Sequence, residues 1–226
     1  MPGGRVMRFA RFVIVTQRPA PAPSFQLPFI RYLLPAKAHT LRHESAHDIT
    51  DSPVREGPAM AMTNLRDLYV DQLRDLYSAE QQILVALPKM IAAATDPKLR
   101  KKFQNHQVET REQANRLMQI FDDLGLTPSG HHCRGMEGLL LEGDEVLQRR
   151  GQIPPEVLDA ALICSAQRVE HYEMAGYGCV RTFADMLGLD KHSKLLQQTL
   201  DEEGHADHVL TNVAEKRVNK EAEARE

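Results

Sequence analysis

From Thr63 to Val218, apolar residues recur every 3.6 positions with few breaks. That single period restricts the chain to long amphipathic helices packed face to face. Thr63 or Asn64 caps a first helix whose apolar face runs through Leu65, Leu68 or Tyr69, Leu73, Leu76, Ile83 or Leu84, Leu87 and Ile91, ending near Ala94. Asp96, followed by Pro97, opens a second helix that reaches Leu124 and stops at Gly125. A long connection with Pro128, Gly130, Gly135 and Gly138 follows and contains a short helix around Met136 to Gln148. A third long helix runs from Pro155 to Leu187, closed by Gly188, and a fourth from Lys191 to Val218, with a charged, frayed tail beyond it.

Short loops join helices one to two and three to four, so each pair forms an antiparallel hairpin, while the link between the hairpins is long. A ferritin-like bundle passes from its second helix to its third in this way. The expected fold is therefore all-α: a ferritin-like antiparallel four-helix bundle over residues 62–226, with a long crossover containing a short helix. The absence of Trp and an aromatic content of 5% agree with a helical chain.

Residues 1–61 differ in composition. They hold eight of the thirteen prolines and eight basic against four acidic residues, leaving 20 basic and 27 acidic in the remainder. Their apolar runs, FVIV and FIRYLL, are too short for a signal or a membrane span. The expectation is a disordered N-terminal extension, or a stretch upstream of a start at Met60 or Met62. With a net charge of -3 and no basic stripe in the helical part, nucleic acid is not an expected partner, and neither is a membrane. Cys133, Cys164 and Cys179 form no CxxC pair, which fits a reducing, cytoplasmic compartment.

The apolar stripes carry acids. Helix one passes through Glu80; helix two through His106, Glu109 or Thr110, and Gln113; helix three through Glu170 and Glu173; helix four through Glu203 and Asp207. Six inward carboxylates without an inward Lys or Arg need a cation, because each unpaired buried charge costs several kcal/mol. The recurrent answer is a two-metal site built from all four helices. The candidate ligands are Glu80, His106, Glu109, Glu170, Glu173, Glu203 and Asp207. Glu202 and His205 resemble a metal pair but fall on the outer face, His171 and His208 lie at the stripe's edge, and His131, His132 and Cys133 lack a second cluster to complete a zinc site. Tyr177, Tyr172 and Tyr69 are candidate hydrogen-bond donors to the ligands.

The segments LRDLYSAEQQI (73–83), HQVETREQANRL (106–117), CRGMEGLL (133–140), AQRVEHYEMAGYG (166–178) and TLDEEGHADHVL (199–210) resemble the YciE/YciF family of ferritin-like proteins, in order and spacing, over residues 63–220. The resemblance implies a rubrerythrin-related bundle with a dinuclear metal centre and a link to bacterial stress responses. The HxxE order on helix two departs from the ExxH of many di-iron bundles.

Oxygen-rich ligation with at most one imidazole suits two iron or manganese ions per protomer rather than zinc or copper. The expected function is a dinuclear carboxylate protein reacting with dioxygen or peroxide, in a homodimer. The alternatives are an iron-binding or structural stress protein without turnover and a metal-free helical interaction module.

Overall fold

The structure, a computed structural model, describes residues 62–225. The expected N-terminal extension, residues 1–61, lies outside the described residues. Helices α1 (Leu65–Ala93), α2 (Pro97–Leu124), α3 (Arg134–Gln148), α4 (Pro155–Met186) and α5 (Asp190–Val213) follow one another, and a π-helical turn (Ala214–Val218) leads into a short α6 (Asn219–Glu223). Among the described residues there is no strand, and no helix is long and apolar enough to cross a membrane.

The helix boundaries have local causes. The Asn64 side chain accepts from the Asp67 backbone N–H at 3.0 Å, and Thr63 returns two bonds to the Asp67 carboxylate. Asp96 accepts from the N–H groups of Lys98 and Leu99 at the start of α2, and Gly125 ends α2 in the left-handed region at φ 66°. The α1–α2 turn is tied to α4 by Asp159, whose carboxylate accepts from Thr95 N–H, Thr95 Oγ1 and Asp96 N–H at 2.6–2.8 Å.

Helices α1, α2, α4 and α5 form the bundle. α1 packs on α2 and α4, α5 on α4 and α2, and α3 lies over α1 and α4. Because α1 is antiparallel to both α2 and α4, α2 and α4 run parallel across a diagonal. The chain must then travel back along the bundle between them, and α3, about 22 Å long at 1.5 Å per residue, covers that distance. The all-α four-helix architecture with a helical crossover is as expected. The fourth helix differs: instead of fraying after Val218, helical backbone continues to Glu223. The extra residue in the π turn shifts the phase, so that Val218 is buried while Arg217 reaches the Asp96 carboxylate at 2.9 Å.

The interior has two apolar clusters. One, nearer the α1–α2 turn, includes Ile83, Leu87, Leu99, Phe103, Leu162 and Leu210; the other includes Tyr69, Leu73, Leu117, Phe121, Tyr177 and Leu196. Between them in sequence, on every bundle helix, sit the buried polar residues: Glu80, His106, Glu170 with Glu173, and Glu203. α1 and α4 approach closely here. A Cβ on Gly176 would lie 2.7 Å from Leu76 Cδ2, so this position tolerates no side chain without a shift.

Candidate metal centre

Each bundle helix delivers one part of the polar layer. Glu170 and Glu173 are one turn apart on α4 and therefore share a face. Donor atoms of His106, Glu170, Glu173 and Glu203 all lie within 4.8 Å of one another. Glu80 completes the layer from α1, fully buried, with Tyr177 donating its hydroxyl hydrogen to Oε1. His106 Nε2 faces Glu170 Oε1 at 3.4 Å, and Nδ1 faces Glu109 Oε2 at 3.9 Å.

Burial is the main electrostatic influence. It pushes Glu80 up to about 8, against the opposing pull of the Tyr177 hydroxyl and His106. Burial also raises Glu170, partly offset by His106, and drives Glu173 and Glu203 well above the ordinary carboxylate range, helped by the neighbouring acids. For His106, burial works to neutralise the ring, but Glu170, Glu109 and Glu80 outweigh it and lift the imidazole to about 8. Glu109 is held below the usual range by His106.

Eleven buried side-chain N and O atoms among the described residues have no hydrogen-bond partner, and eight of them belong to this layer: Glu80 Oε2, both His106 nitrogens, Glu170 Oε2, and both oxygens of Glu173 and Glu203. Native interiors satisfy nearly all such atoms. Convergent orphaned donors of ligand type are what a metal ion would satisfy, so the residues present fit the group the sequence implied.

The remaining sequence candidates are placed further out. On α2 the inward position beside His106 is taken by Thr110, which is fully buried, whereas the Glu109 side chain is 45% exposed. Asp207 is partly buried, accepts from Gln167 Nε2 at 3.0 Å and lies 3.3 Å from His171 Nε2. Of the three tyrosines, Tyr177 alone bonds a layer residue. Tyr172 donates to Asp75 and meets Cys133, and Tyr69 meets His192. His131 and Cys133 both meet the Asp75 carboxylate, at 2.9 and 3.1 Å, while His132 turns to Glu137, so the three are not gathered around one point as zinc ligands.

The bundle interior was expected to hold no Lys or Arg, but Arg116 of α2 reaches the edge of the layer. Its side chain is 12% exposed, and the guanidinium grips Glu202 with two bonds of 2.6 and 2.7 Å and acts on Glu80 from beside the layer. Arg116 adjoins Leu117 on the helix edge, and its flexible stem carries the charge inward, which helical phase alone does not reveal. Its charge is largely matched by Glu202, so the four layer carboxylates stay under-compensated.

Residues 64–223 match the family described as a domain of unknown function, DUF892. The protein YciF of Escherichia coli K12 is 42% identical over 165 residues, which cover 73% of this chain and 98% of that protein. The chain belongs to the YciE/YciF family. Among solved structures, that of the E. coli stress protein YciF matches with a TM-score of 0.67 at 42% identity, covering 70% of this chain and 99% of the other. YcfI of Rhodopseudomonas palustris matches with a TM-score of 0.64, also at 42% identity and with the same coverage. A protein of Xanthomonas campestris pv. campestris, 16% identical, shares the fold over 72% of this chain and 99% of its own with a TM-score of 0.57.

Proposed function

We propose that this YciF homologue is a stress-related dinuclear iron or manganese carboxylate protein whose centre reacts with dioxygen or peroxide. Glu80, His106, Glu170, Glu173 and Glu203 would hold the two ions. The observation that carries this reading is the set of eight buried ligand-type atoms without a hydrogen bond, drawn from all four bundle helices. Four carboxylates, once ionised, balance two divalent cations, and hard oxygen donors with one imidazole favour iron or manganese.

When bound, the metals would supply the redox chemistry. The chain's own residues prepare the place for it. Tyr177 fixes the orientation of Glu80 from outside the ligand set. His106 turns Nε2 toward the carboxylates, leaving Nδ1 toward Glu109. The flanking apolar clusters exclude bulk water. A cavity of about 100 Å³ bordered by His106 and Glu170 has room for a molecule of peroxide size but not for a large organic substrate.

Anaerobic reconstitution with ferrous iron, removal of excess ion and metal analysis test the proposal. Close to two ions per chain, followed by consumption of added peroxide, is expected. Retained iron with no peroxide consumption identifies an iron-binding stress protein without turnover, and no retained metal overturns the centre itself.

A further inference from the structure

Two depressions meet on the α2–α5 face. The inner cavity, about 100 Å³, has His106 and Glu170 in its wall along with Phe103, Ala206 and Leu210. The outer one is a shallow groove bordered by Lys194, Gln197, Gln198, Asp201 and Glu202. Two residues border both, Glu109 from α2 and His205 from α5. They lie on opposite sides of the junction, one on each helix, near enough for His205 to add to the influences that lower Glu109, of which His106 is the largest.

On the α1–α4 side, Tyr177 covers Glu80 and Leu76 packs against Gly176. The groove between α1 and α3 and the pocket between α3 and α4 touch none of the five layer residues. The α2–α5 junction, by contrast, runs from the outer groove to a cavity bordered by His106 and Glu170.

We infer that Glu109 and His205 form a transit gate through which divalent metal ions pass from the outer groove to His106 and Glu170. The inference rests on reading the buried cluster as a metal centre. A carboxylate and an imidazole bind such ions, but half-buried Glu109 and exposed His205 belong to no convergent group of three metal-type donors that would retain one, whereas the cluster beyond has four buried carboxylates. Lys194 borders the outer groove and Lys102 the inner cavity, and Arg116 occupies Glu202. Asp201 offsets Lys194 in the outer groove, and Glu109 is the negative charge at the junction itself, where the passage narrows toward His106 and Glu170. His205, which helical phase puts on the outer face, gains a role there because that face closes over α2.

The test uses the full, metal-stripped chain mixed with Co²⁺, with the visible absorbance of the bound ion giving the uptake rate and metal analysis the end point. In the His205→Ala, Glu109→Gln double variant, uptake should slow by about tenfold or more, as expected when a focused local charge is removed, with each single variant in between. The His205→Ala end point should equal wild type, and Glu137→Gln on α3 should leave the rate unchanged. A wild-type rate in the double variant, or equal slowing by Glu137→Gln, overturns the gate while leaving the metal centre intact. Loss of bound ion at the His205→Ala end point also overturns the gate, making His205 a ligand. Failure of wild type to bind Co²⁺ overturns both the gate and the reading beneath it.

Discussion

Tyr177 on α4 donates its hydroxyl hydrogen to Glu80 on α1, and both residues are fully buried. The bond fixes one oxygen of Glu80 and leaves Oε2 without a partner, aimed into the layer. Tyr177→Phe should keep the fold but leave Glu80 free to rotate, weakening metal binding roughly ten- to hundredfold. Chelator-competition titration reads this directly. Unchanged affinity would place Glu80 outside the ligand set.

Glu170→Ala and Glu203→Ala should each reduce bound metal at saturation. They should also raise the melting temperature of the metal-free protein, because each removes a buried carboxylate with orphaned oxygens. Metal analysis and thermal denaturation of the stripped proteins provide the two readings. Variants that melt lower without metal would mean the carboxylates are already satisfied in the empty bundle.

Much of this was readable in the 3.6-residue period. Glu80, His106, Glu170, Glu173 and Glu203 each lie on an apolar stripe, and all five are buried in one layer. Phase blurs at adjacent positions: Glu109 and Thr110 differ by 100° around the helix, and the neighbouring helix α5 decides which of them turns inward. Asp207 sits at a similar edge and turns toward Gln167 and His171. Arg116 was not readable at all, since its position beside Glu202 depends on how α2 and α5 are aligned, a relation between two segments far apart in the chain.

Gly176→Ala tests how tightly the α1–α4 contact sets the layer. The new methyl would meet Leu76 Cδ2 at 2.7 Å, and Leu76 is buried with little room to retreat. A loss of about 1–3 kcal/mol is expected from such overpacking. In a Leu76→Ala background the same change should cost much less, because the obstructing atom is gone. Chemical denaturation of the four proteins closes the cycle, and additive effects would show that the contact is not what constrains this position.

The buried layer also sets opposite pH dependences for the stripped and loaded protein. Glu80 and His106 are both raised by folding, to about 8 from ordinary values of 4.5 and 6.5, and Glu173 and Glu203 move in the same upward direction. A group raised on folding binds its proton more tightly in the native state, so its stabilisation is complete below its unfolded value and fades as pH climbs through the folded one. The metal-free protein should therefore lose melting temperature between about pH 5 and 8, with the steepest part near the upper end for Glu80 and His106. Bound metal reverses the sign, since the same atoms must release protons to act as ligands and rising pH favours binding. Differential scanning calorimetry of both forms across this range decides it. Parallel profiles would mean that the layer's protons and the metal do not compete for the same atoms.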